Sequence, residues 1–500
     1  MKSYFMKYFS GIFILLFFTG NIFGQANNIP YRDGIQFSPR WIDNLVFLNH
    51  FDRELPPEKQ ALYKWAETHL AGETYKGYAS LADYYGLQKH CEMHNIKLLG
   101  GPMLGDITNN SANVWVQTVK PGKVEIMVND GGKEKKYGPV ESMPDTELTA
   151  VVPVTGLKPG TKYAYNVLVD GEKIETPFET TLKTVSNNKE ENTRILFGSC
   201  YHRWGLGNEK QSRSMIDRNP DAFLAIGDIA AQDRNNSMGW HSLDYLARDL
   251  YPAWQNLVSK VPVYAAWDDH DYFDNDLWGI PEGYTNEDRE NVWKVFRYAW
   301  NNPSYGFGDD EKGIFFRTRI GAADVILLDH RYFRTRESFL GEKQMKWLEE
   351  QLPDCKGPFI ILSTGTMWSD YVSNGKDSWG RFDPEGREKI FSLIEKNNIA
   401  GVLLISGDRH GARGFTIPRA SGFQFYEFEG GSLGALGGPP INKPEWKNRL
   451  YGISGEYAFS EFTFDTSVDD PTVTFRLIGE NGNIIHELQL KRSELTPANY

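Results

Sequence analysis

Trp267-Asp268-Asp269-His270-Asp271, with Asn275 shortly after, is the stretch on which the reading of this sequence turns. It closes an apolar run, Val261 to Ala266, that has the length and composition of a short buried strand. Three carboxylates and a histidine crowded at the end of such a strand repel one another unless a cation lies among them. The cluster therefore points to a metal site. Three more apolar runs end in the same way. They are Ile195-Leu196-Phe197-Gly198-Ser199-Cys200, Ala222-Phe223-Leu224-Ala225-Ile226-Gly227-Asp228 and Val402-Leu403-Leu404-Ile405-Ser406-Gly407-Asp408-Arg409-His410. Four such runs delivering Asp, His or Cys at their carboxyl ends predict one polar site on the edge of a sheet.

Working outward, strand-like and helix-like patterns alternate from Thr193 onward. Strands are expected at Phe359–Leu362 and near Val325–Leu328, and helices near Glu209–Asp217, Ser242–Leu257 and Pro384–Asn397. This predicts a layered α/β domain over 193–492, with antiparallel strands near its end. The glycine-rich Glu429–Pro440 reads as a loop over the pocket. Between Leu98 and Lys183 the texture is short alternating runs separated by turns. Lys158-Pro159-Gly160 opens a strand with Tyr163 and Tyr165. That pattern predicts a fibronectin-like β-sandwich over 97–185, with a tyrosine tied back to the preceding turn. Residues 26–96 carry two helical patterns, near Pro57–Leu70 and Tyr78–Asn95. In the second, His90 and His94 share a helix face at metal-ligand spacing, a pattern that a plain polar face produces more often.

Lys plus Arg number 54 against 66 Asp plus Glu, a net charge of −12. That argues against a nucleic-acid-binding module or an anionic membrane as partner, but not against a phosphate substrate, since bound cations reverse the local field. Lys2 and Lys7 precede an apolar run, Ile12 to Phe18, with a cleavage region near Gly24-Gln25. Residues 1–25 thus read as a signal peptide, and the mature chain as a periplasmic or extracellular protein without a transmembrane segment. Of the three cysteines, Cys200 falls at the site; Cys91 and Cys355 either pair or stay reduced.

The chemistry follows from the residue types. Asp228 suits a carboxylate bridging two cations; Asp269, Asn275, Asp408 and His410 supply further donors, and Cys200 a thiolate. Two adjacent cations generate a hydroxide near neutral pH and clamp a phosphoryl group. His270 then serves as general acid to the leaving alkoxide or as a partner to the phosphate, and Arg331, Arg334, Arg409 and Arg413 are candidates for charge stabilisation.

Phe197-Gly198-Ser199-Cys200, Gly227-Asp228, Trp267–Asp271, Leu328-Asp329-His330-Arg331 and Ser406–His410, in that order, resemble the PhoD-like alkaline phosphatases of the metallophosphoesterase superfamily. The resemblance implies a four-layer α/β/β/α sandwich preceded by the small β-sandwich. It also implies phosphate-ester hydrolysis by a metal-bound hydroxide at two metal ions, iron (or another transition metal) plus calcium. Cys200, Asp228, Asn275, Asp408 and His410 carry over as ligands, with Asp269 matching a ligand of the wider superfamily. The sequence departs from the family where a tyrosine is usual three residues after the bridging aspartate; Ala231 stands there. His202, two residues beyond Cys200, or Asp233 is expected to fill the gap. A phospholipase or polymer-directed phosphodiesterase is the alternative substrate class, and a catalytically inactive surface-binding relative the alternative from another class.

Overall fold

The structure is a computed structural model that describes residues 44–48, 55–230, 232–308, 311–372 and 378–499. The expected signal peptide and Ala231 lie outside the described residues.

Two sheets carry the molecule. The first has six strands in the order Val263–Ala266, Ala222–Ile226, Thr193–Gly198, Ala458–Asp465, Thr472–Gly479 and Ile484–Lys491. Its first three strands run parallel, and the last three continue antiparallel. The second has seven, in the order Phe316–Ile320, Ala323–Leu327, Phe359–Ser363, Val402–Ser406, Gln424–Glu429, Ala412–Pro418 and Arg449–Ile453. The parallel strands Ala222–Ile226, Val263–Ala266 and Val402–Ser406 are buried along their whole length, which is why they read as unbroken apolar runs. Aromatic rings close the space between the sheets: Phe428 lies 5.2 Å from Phe462 and 4.6 Å from Phe475, and Phe359 4.9 Å from Phe464, centroid to centroid. Helices such as Met238–Leu250 and Pro384–Lys396 belong to the same α/β unit. This is the metallophosphoesterase sandwich expected from the sequence.

Ahead of it stand two antiparallel sheets. One contains Leu98–Gly105, Ser111–Thr118 and Thr149–Thr155; the other is built on Lys133–Ser142, Gly122–Asp130 and Lys162–Val169. The Tyr163 hydroxyl accepts the Lys158 N–H at 2.8 Å, tying strand to turn as expected. Tyr165 donates to the Ser259 carbonyl at 2.9 Å and so fastens this unit to the next.

Some elements differ from expectation. The helix expected over Ser242–Leu257 is two, Met238–Leu250 and Pro252–Val258, because Pro252 drives Tyr251 out of helical backbone. The pattern over Tyr78–Asn95 resolves into a 3-10 turn, Tyr78–Leu81, and a helix, Tyr85–Met93. Tyr84 between them is extended, and its ring stacks on His69 at 4.5 Å. Ala412–Pro418 and Arg449–Ile453, unmarked in the sequence reading, are strands of the second sheet. All three cysteines are free, Cys91 buried and Cys355 half-buried.

Candidate metal centre

The parallel strands of the first sheet end side by side, so the turns after Gly198, Ile226 and Ala266 adjoin. Several candidate ligands in these turns, and in the one after Ser406, have left-handed backbone. Cys200, His202, Asp228, Asp408 and His410 have φ of +52°, +48°, +54°, +72° and +38°. That conformation costs an L-residue about 1–2 kcal/mol, and it persists where the surroundings fix it. Here they do. The Cys200 N–H donates to the Gly227 carbonyl at 3.1 Å and the His202 N–H to that of Asp228 at 3.2 Å. The Asp271 carboxylate accepts the N–H groups of Ile229 (3.2 Å), Ala230 (3.3 Å) and Asp268 (3.4 Å), joining the second turn to the third.

Two glycines let the turns approach. A Cβ on Gly227 would lie 2.6 Å from the Asp268 Cβ, and one on Gly407 2.7 Å from the Ser199 Cβ. The second contact brings the edges of the two sheets together. The Glu429–Pro440 segment is packed rather than free: the Gly434 N–H donates to the Cys200 carbonyl at 2.9 Å, and Leu433 is fully buried.

Three donor groups result, the atoms of each within 4.8 Å of one another. They are Cys200, His202, Asp228 and His410; Asp228, Asp269 and His270; and Asp228, Asp268, Asp269 and Asp408. Asp228 belongs to all three. Asp228 Oδ1 is buried without a hydrogen-bond partner, a costly position for an anion unless a cation meets it. The mixed thiolate, imidazole and carboxylate set fits metal ions.

Burial pushes the Cys200 thiol and the Asp228 carboxyl well up from their ordinary ranges, and Asp408 up to about 7. A cation among them favours the ionised forms. Burial pushes His410 down to about 4. Its Nδ1–H donates to the Gly437 carbonyl at 2.7 Å, which leaves the Nε2 lone pair for a ligand bond. Burial would also depress His270, but the carboxylates of Asp228, Asp269 and Asp233 outweigh it and hold the ring well above its ordinary value. His270 Nδ1 meets Asp233 Oδ1 at 2.5 Å.

The remaining candidates are placed as follows. Arg331 is fully buried; its Nε donates to Asp268 Oδ1 at 2.6 Å and its Nη2 lies 3.6 Å from Asp269 Oδ1. Arg409 Nε lies 3.3 Å from Asp408 Oδ2. Arg413 is fully buried, donating to Glu429 at 2.5 Å and to the His410 carbonyl at 2.7 Å, so it braces the loop. Arg334 stacks over Phe382 at 4.1 Å. Asn275 is exposed, its backbone N–H on Asp233 at 3.1 Å. His90 is bound to the Glu58 carbonyl at 2.7 Å and belongs to none of the donor groups found among the described residues. Sequence reasoning had not singled out Asp268, although it stands in the quoted cluster. It had quoted His330 only within a motif and given it no role; its Nε2 meets Asp268 Oδ1 at 2.9 Å.

Comparisons with known proteins agree with this architecture. The family described as a domain of unknown function, DUF7800, matches residues 95–186, and the one described as PhoD-like phosphatase matches residues 195–469. No curated protein matches. Among solved structures, that of PhoD is similar with a TM-score of 0.64 at 17% identity, covering 80% of this chain and 91% of its own. The purple acid phosphatase PPD1 from yellow lupin (Lupinus luteus) seeds is similar with a TM-score of 0.59 at 15% identity, covering 78% and 74%. The PhoD-like match spans more than half of the sequence and takes in every donor residue named above, and the chain belongs to the PhoD-like phosphatase family, phosphoric ester hydrolases that depend on metal ions.

Proposed function

We propose that this chain is an exported phosphoesterase that cleaves phosphate mono- or diesters at two metal ions carried by a catalytic domain over 193–492. Cys200, His202, Asp228 and His410 form the softer site, suited to iron or another transition metal. Asp228, Asp269 and Asp408 form the harder one, suited to calcium, and Asn275, exposed in this structure, is assigned to it by the family resemblance alone. When bound, the ions supply an ionised water as nucleophile and neutralise the phosphoryl oxygens. The chain's residues do the rest. His270, with Nδ1 engaged by Asp233, gives its Nε2 proton to the departing alkoxide. Arg409, beside Asp408, supplies positive charge to the phosphoryl group, while the buried Arg331 holds Asp268 and Asp269 in place. His202 takes the position left by the missing tyrosine. Lys2, Lys7 and the apolar run Ile12–Phe18 support export. Among the described residues no helix is long and apolar enough to cross a membrane.

The observation that carries this reading is the sharing of Asp228 by all three donor groups. Elemental analysis of the mature protein, with paired assays on p-nitrophenyl phosphate and its bis ester, tests it. Near two metals per chain with turnover of either ester is the expected result. No metal after incubation with iron and calcium salts, and no turnover, would overturn the reading and favour an inactive binding protein.

A further inference from the structure

Behind the proposed softer site lies a polar network that none of the metal donors explains. His202 Nδ1 lies 2.5 Å from Nε2 of the Gln232 side-chain amide. The backbone N–H of Gln232 donates in turn to Asp244 Oδ2 at 3.2 Å. Asp244 is fully buried and accepts from Arg234 Nε at 2.6 Å, from Arg203 Nη2 at 3.3 Å and from Asn44 Nδ2 at 2.8 Å. Asn44 completes the ring by accepting from Arg203 Nε at 2.5 Å. Asn44, from the segment before the β-sandwich, thus joins a buried ionic cluster that holds the backbone of Gln232.

With Nδ1 turned to Gln232, Nε2 is the nitrogen left to meet Cys200, Asp228 and His410. Nε2 ligates a cation only when the ring proton sits on Nδ1, and Nδ1–H needs an acceptor. The Gln232 amide is placed with Nε2 toward Nδ1; turned end for end about its last bond, it presents Oε1 there and offers that acceptor.

We propose that Gln232 is the positioning residue of His202: its amide oxygen accepts the Nδ1 proton, fixes the tautomer and aims Nε2 at the softer metal site. The Asp244–Arg203–Arg234–Asn44 cluster holds Gln232 in place. This rests on the reading of His202 as a ligand, which the family pattern does not supply.

The test is titration of the metal-free, full-length mature protein with cobalt(II), read by the absorption spectrum of the bound ion and by its dissociation constant. Gln232→Leu and the shorter Gln232→Asn each weaken binding at the thiolate-bearing site by about 10- to 100-fold. Gln232→Glu, which only accepts, restores wild-type affinity and spectrum. Wild-type binding in Gln232→Leu and Gln232→Asn, with His202→Ala defective, overturns the proposal. So does a Gln232→Glu variant as weak as Gln232→Leu, since the carboxylate keeps the acceptor. Wild-type cobalt binding in His202→Ala instead removes the ligand reading beneath it.

Discussion

Asp271 offers the sharpest perturbation of the site, because it belongs to none of the donor groups yet joins two of the turns that carry them. One carboxylate oxygen accepts from Ile229 and Ala230, at 3.2 and 3.3 Å. The other accepts from Asp268 at 3.4 Å and from Ile229 at 3.3 Å. Asp271→Asn keeps the shape but turns one oxygen into a donor. Ile229 retains an acceptor in either orientation, so one N–H, that of Ala230 or of Asp268, is stranded in a buried place. A stranded buried donor costs roughly 1–3 kcal/mol. The variant should therefore unfold at a lower temperature by calorimetry, and its Ile229 and Ala230 amides should exchange faster with solvent. The loosened Asp228 turn should also release metal about tenfold more readily to a chelator. Asp271→Asn with wild-type melting, wild-type amide exchange and wild-type metal retention would refute the argument that this carboxylate aligns the strand ends.

His270→Gln should keep its metals and lose roughly 10²–10⁴ in kcat on alkyl phosphates, with a smaller loss on p-nitrophenyl phosphate, whose leaving group needs no proton; equal losses on both would remove His270 as the acid. Phe428→Ala opens a cavity between the sheets against Phe462 and Phe475 and should cost about 3–5 kcal/mol, measured by denaturant unfolding. His241, buried with Nε2 on the Asn235 carbonyl at 2.9 Å, is pushed by burial down to about 4. Its pKa is lower in the folded chain than in the unfolded one, so its contribution is intact above about pH 6.5 and lost as pH falls through 4. That loss is worth up to about 3 kcal/mol, and His241→Gln should flatten this part of the stability curve.

The order of the motifs was legible in the chain itself. Apolar runs of four to six residues ending in Gly-Asp or Ser-Cys can be little other than buried parallel strands, because both faces of such strands are covered. Strands of that kind put their polar termini on one edge, so Cys200, Asp228, Asp269 and His410 were visible as a group before any coordinates. The Tyr163 tie to Lys158 was equally readable, since a Pro-Gly turn followed by a tyrosine is a local pattern. The tertiary structure alone decided the division of labour among residues of the same kind. Asp268, Asp269 and Asp271 stand within four positions, and only packing separates donors from the clamp that accepts three backbone N–H groups. Arg331, Arg334 and Arg413 look alike in sequence; the first is buried against carboxylates, the second against aromatic rings, the third against Glu429 and the His410 carbonyl. Partnerships such as Gln232 with His202, or Asn44 with Asp244, join residues 30 and 200 positions apart. No periodicity records them, because hydrogen bonds across a fold depend on where chain segments meet rather than on spacing along the chain.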